Sequence, residues 1–134
     1  YCLEYADGIA FSRGLSEPED PVIAVRDLTG GLVSWIEVGL PDAARLHKAA
    51  KAAPRVAVYT HRDPLTWLRG LAGERIHRAE ALELYAFDRS LIAALAERLE
   101  RRMTLDLAVS ERHLYLSHGE AHFEGALESL ALAG

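Results

Sequence analysis

Cysteine is nearly absent. The single Cys2 cannot form an internal disulfide or a multi-cysteine metal site, and with no secretory leader in the sequence it points to a reducing cytoplasm. Aromatic residues make up only 7%, and the two tryptophans, Trp35 and Trp67, sit at apolar positions of their segments, so both read as packing residues rather than base-stacking platforms. No apolar run reaches membrane-spanning length, which argues against a transmembrane helix. Positive charge is also scarce: 15 Lys and Arg against 20 Asp and Glu leave a net charge of −5, which disfavours coating nucleic acid by bulk charge and leaves room for a local basic stripe. The patterns GxGxxG, GxxxxGK[ST], GxSxG and HExxH are all missing, so the common nucleotide-binding, hydrolase and zinc-protease signatures are silent.

What remains is globular in character. Half of the 134 residues are hydrophobic and 26% are charged. A chain of this mass is expected to bury roughly two thirds of its extended surface and to keep about 6,900 Å² exposed, enough for one domain.

The periodicity predicts an α/β order. Tyr1, Leu3 and Ala6 read as the last turn of a helix ended by Gly8, and residues 16–21, with two prolines and three acids, read as an exposed loop. Leu32–Val38 is rich in β-branched and aromatic residues between glycine turns, and predicts a strand. Asp42 then caps an alanine-rich helix that Pro54 stops, and Arg55–Thr60 predicts a strand covered on both faces, completing a βαβ unit. Asp63-Pro64 opens a second helix, residues 82–87 a further strand, and Asp88 caps a third helix carrying Leu91, Ala94, Leu95 and Leu99. From Met103 the period changes to two, and polar turns at 110–112 and 118–120 predict three strands in an antiparallel meander. The expected fold is a single α/β domain with a mixed sheet flanked by helices.

Chemistry concentrates between Trp35 and Ala49. A carboxylate inside an apolar strand is costly to bury unless it is paired, hydrogen-bonded or bound to a cation, so Glu37 has two readings. It faces solvent or pairs with Arg45 or Lys48, or it is a metal ligand with Asp27 or Asp42 as companion. Mg²⁺ suits the second reading, because it takes oxygen ligands and needs only one or two carboxylates. Such an ion polarises a phosphoryl oxygen and activates water, while a nearby Arg or Lys stabilises the developing charge. Arg45, Lys48 and Lys51 recur every three residues along the following helix, a stripe that reads either as a solvated face or as a local contact for nucleic acid. Asp27 in its glycine turn is explained equally well by turn chemistry. His113, His118, His122 and Glu120 read mainly as polar residues of the meander, with zinc binding the lesser alternative, and His61 as a loop residue.

The run WIEVGLPDAARLHKA at 35–49 resembles the bacterial YaeQ family, supported in the same order by Tyr5-Ala6-Asp7, Phe11-Ser12-Arg13-Gly14-Leu15, Asp27-Leu28-Thr29-Gly30, Val56-Ala57-Val58-Tyr59-Thr60 and Arg102-Met103-Thr104-Leu105. The resemblance spans nearly the whole chain. It implies a fold related to type II restriction endonucleases with a variant of the PD-(D/E)xK nuclease motif, and hence metal-dependent phosphodiester hydrolysis. Carried over residue by residue, Glu37 takes the place of the strand acid; Asp27 is then the candidate substitute for a missing ligand, and Arg45 or Lys48 on the next helix the candidate cation, on grounds of geometry rather than of the motif. The lysine position itself falls on Gly39, and Val33 stands where family members have an acid. These departures favour the alternative, a non-catalytic module on the same scaffold that binds a nucleic-acid or protein partner. The family's N-terminal strand and helix segment, with its further acid, is expected to lie before Tyr1.

Overall fold

RVAVYT forms the central strand of the molecule. In the computed structural model, which describes residues 1–12 and 20–132, this segment is buried on both faces from Val56 to Thr60, as its unbroken apolar pattern predicts. Eight strands make one curled mixed sheet: β1 (Ile9–Phe11), β2 (Ile23–Arg26), β3 (Leu32–Val38), β4 (Arg55–Thr60), β5 (Glu83–Phe87), β6 (Asp106–Ser110), β7 (His113–His118) and β8 (Ala121–Leu130), in the spatial order β1-β2-β3-β4-β5-β8-β7-β6. β3, β4 and β5 run parallel, and every other neighbouring pair is antiparallel. The crossovers are α1 (Ala43–Ala52) and α2 (Leu65–Ala72), while α3 (Arg89–Glu97) follows β5.

Local chemistry accounts for these elements. Asp42 caps α1 by accepting a hydrogen bond from the Arg45 backbone N–H at 2.9 Å. Leu46, Ala49 and Ala50 then fall on one side and are buried. They pack on Trp35, Val56, Val58 and Leu84 of one sheet face, together with Leu71 of α2. Asp88 caps α3 through the backbone N–H groups of Ser90 and Leu91. The opposite sheet face carries Ile36, Ala57, Tyr59 and Tyr85, and Leu91 of α3 packs on that side with Leu114 and Leu116 of the meander.

Three features differ from the sequence reading. The chain begins with a 3₁₀ turn, Cys2–Glu4, and the short strands β1 and β2 extend the sheet ahead of β3. The period-two run from Met103 enters the sheet only at Asp106, and β6 is exposed along its whole length. This open edge is part of why the accessible surface, 8844 Å², exceeds the value expected from mass. Leu99 lies beyond α3 and is 72% exposed, so it takes no part in that helix's apolar side. The acidic 16–21 loop falls mostly outside the described residues.

Gly125 of β8 shows how closely α3 crosses the sheet. A Cβ there would lie 2.8 Å from the Asp88 Cβ and 3.0 Å from the Leu91 Cβ. Gly125→Ala is expected to cost about 1.5 kcal/mol through overpacking, read as a lower urea midpoint with unchanged slope.

Candidate functional site

β3 alternates its side chains, so Trp35 and Glu37 lie on the α1 side of the sheet while Ile36 lies on the other. Glu37 is 4% exposed, next to Val58 on β4. Its Oε1 accepts two hydrogen bonds, from Trp35 Nε1 at 2.7 Å and from Arg45 Nη2 at 2.8 Å. The same Nη2 donates to the Asp20 carbonyl at 2.9 Å, and the guanidinium lies 5.6 Å from the Trp35 ring centre. Glu37 chiefly holds the Arg45 guanidinium above its ordinary pKa, and burial opposes it. The capping of α1 by Asp42 fixes where Arg45 leaves the helix, so cap, helix and strand together make this ion pair. Of the two readings open for Glu37, pairing with Arg45 is the one the structure displays.

The remaining residues singled out in the sequence lie apart. Asp27 closes its own turn: Oδ1 accepts from the Thr29 N–H, the Thr29 hydroxyl and the Gly31 N–H at 3.0, 2.7 and 2.8 Å. These bonds, the Thr29 hydroxyl first, hold its carboxyl below the ordinary 3.8. Arg26 pairs with Leu32 at that end of the β2–β3 ladder, so Asp27 and Glu37 are separated by about five strand residues, roughly 17 Å. Lys48 is exposed on α1, one turn beyond Arg45. Gly39, at the position of the motif lysine, has φ +113° and donates its N–H to the Tyr59 carbonyl. Among the described residues no three His, Cys, Asp or Glu side chains converge to hold a metal ion. His113 and His118 fall on opposite faces of β7, and His122 Nδ1 lies 3.0 Å from the Ser117 hydroxyl.

A second polar cluster, on the far sheet face, escaped the sequence reading. Arg55 donates to both carboxylate oxygens of Glu4, at 2.7 and 2.9 Å, and to both of Glu83, at 2.6 and 3.1 Å. The Tyr59 hydroxyl donates to Glu4 and the Tyr85 hydroxyl to Glu83, each at 2.7 Å, with the two rings stacked 5.0 Å apart. Burial first, and then these carboxylates, raise both phenol pKa values. Glu4 and Arg55 are 51 residues apart, so no local spacing announces the pair. The only sequence trace is a basic and an acidic residue opening the parallel strands β4 and β5.

Fold and site together define a single-domain α/β protein with a mixed curled sheet, whose buried strand glutamate is neutralised from the following helix. The chain belongs to the YaeQ family, whose description, YaeQ protein, matches residues 1–127. It is 32% identical over 125 residues to the uncharacterized protein YaeQ of Salmonella typhi, covering 91% of this chain and 68% of that protein. It is 30% identical over the same length to the uncharacterized protein YaeQ of Escherichia coli K12, with the same coverage. Among solved structures, the YaeQ protein from Pseudomonas syringae matches with a TM-score of 0.77 and 24% identity, covering 95% of this chain and 70% of that one. The YaeQ protein from Xanthomonas axonopodis pv. citri matches at 0.76 and 24%, covering 98% and 75%. These two share the fold. Among the described residues no helix is long and apolar enough to cross a membrane.

Proposed function

We propose that this protein is a non-catalytic binding module for an anionic partner, nucleic acid first, on a scaffold of the restriction-endonuclease kind. One observation carries the reading: the Glu37 carboxylate already accepts from a guanidinium and an indole N–H. The cation that balances its burial is Arg45, supplied by the protein itself. Two further features support it. Backbone at φ +113° is rarely adopted by L side chains, so Gly39 serves the turn out of β3 where the nuclease motif has its lysine. Asp27 is committed to three bonds within its turn. Exposed cations on α1, Lys48 and Lys51, supply the surface for the partner. The reading places the protein in a reducing cytoplasm, which suits the exposed Cys2 thiol.

The rival is Mg²⁺-dependent phosphodiester hydrolysis with Glu37, Asp27 and Asp42 as ligands and Arg45 or Lys48 as the assisting cation. A calorimetric titration with Mg²⁺ and Mn²⁺, paired with a cleavage screen on single- and double-stranded DNA and RNA, separates the two. Glu37→Gln is the companion variant, because the amide oxygen still accepts from Trp35 and Arg45. No saturable metal binding and no turnover is the expected result. Turnover that needs metal and disappears in Glu37→Gln would overturn the proposal.

A further inference from the structure

A hollow of about 530 Å³ lies beside the C-terminal half of α1, lined by His47, Lys51, Arg75, Ile76 and His77. Its two elements are built to stay together. The His77 backbone N–H donates to His47 Nδ1 at 2.9 Å, and Arg78 donates from Nη2 to the Ala50 and Ala53 carbonyls at 2.8 and 2.9 Å. Arg78 is itself left-handed at φ +50°, an unusual conformation for a side-chain-bearing residue that these bonds hold in place.

These contacts set the chemistry in and around the hollow. A helix C-terminus normally repels anions through its unpaired carbonyls. Here the Arg78 guanidinium, which lines a neighbouring hollow rather than this one, takes up the Ala50 and Ala53 carbonyls and so offsets the negative end of α1. A backbone N–H can only donate, so His47 Nδ1 must accept, and the proton of the neutral ring sits on Nε2 as a donor. Lys51 and Arg75 are exposed, and no carboxylate among the described residues lies within ion-pair distance of either. The adjacent Glu74 lines a separate hollow with Leu71 and Leu82. Ile76 is buried and anchors the loop to the core beneath.

We infer that this hollow is a phosphate site, in which Lys51 and Arg75 supply charge and fork-shaped hydrogen bonding while His47 and His77 supply imidazole donors. Its volume exceeds that of one phosphate group, so the phosphate is either free or carried on a nucleotide. The inference deepens the binding-module reading by naming the chemistry bound. It does not involve Glu37, so metal binding at β3 would sink that reading and leave this site intact.

The test is an ¹H–¹⁵N titration of the protein with three probes: inorganic phosphate, the 5′-phosphorylated dinucleotide pTpT, and the phosphate-free nucleoside thymidine. Saturable shifts at the Arg75 and His77 amides are expected with at least one phosphate-bearing probe, stronger than with thymidine. A response to inorganic phosphate assigns a free anion, and a response to pTpT alone assigns a nucleotide-borne group. Lys51→Ala and Arg75→Ala, both at exposed positions and so neutral for folding, are each expected to weaken binding about tenfold. No saturable shift with either phosphate probe, equal response to thymidine, or binding unchanged in both variants overturns the inference.

Discussion

Glu37→Ala is expected to lower the stability of the protein by about 3 kcal/mol, read as the shift in urea midpoint at neutral pH. The carboxylate sits 4% exposed between a strand and a helix, and the substitution deletes the acceptor of both Trp35 Nε1 and Arg45 Nη2. The indole is the more damaging loss, because Trp35 is 2% exposed and its N–H has no water to turn to. Arg45 retains 26% side-chain exposure and rehydrates in part, which keeps the cost at the lower end for a broken buried pair. Glu37→Gln keeps an acceptor and is expected to cost less than half as much. A double-mutant cycle with Arg45→Met isolates the ionic contribution. If Glu37→Ala left the midpoint in place, Glu37 would not be serving the fold, and the carbon-for-carboxylate exchange would have to be read as a functional one.

The elements that were legible in the sequence carried their own local signals. β3, α1, β4, β5 and α3 each had a cap, a proline stop or a clear period, and they form as those signals predict. β1 and β2 had none: three and four residues are too short to show alternation, and they form because β3 offers an edge to pair with. The site divides in the same way. Pairing of Glu37 with Arg45 was readable because strand end, cap and first helical turn lie within eight residues. Arg55, by contrast, meets Glu83 at a separation of 28 residues through the parallel pairing of β4 with β5, and Glu4 at 51 residues through the 3₁₀ turn that docks on β4. The hollow at His47 and His77 was invisible for the same reason, since its halves are 30 residues apart.

Arg55→Met keeps most of the side-chain volume and removes four hydrogen bonds, and it is expected to cost about 2 kcal/mol at neutral pH. The cost is held down because Arg55 is 36% exposed, while the Glu4 side chain, at 8%, loses its only cation among the described residues and keeps just the Tyr59 hydroxyl. Acid dependence provides the distinguishing readout. Arg55 is the main reason the Glu83 carboxyl lies below its ordinary 4.5, so the pair stabilises the fold fully above that value and is lost as pH falls through the lowered one. The stability gap between wild type and Arg55→Met is therefore expected to be constant from neutral pH down to about 5 and to narrow below 4.5. A gap that is flat through the acid range would assign the loss to packing instead. Arg55 also ties the 3₁₀ turn at Cys2–Glu4 to β4, so amide exchange at residues 2–4 is expected to accelerate in the variant. Because this clip lies on the sheet face opposite α1, phosphate titration of the His47–His77 hollow should proceed unchanged in Arg55→Met. That separation makes the variant a control for fold stability as well as a probe of the clip: a protein weakened at Glu4 and Glu83 still presents Lys51 and Arg75 from an intact α1.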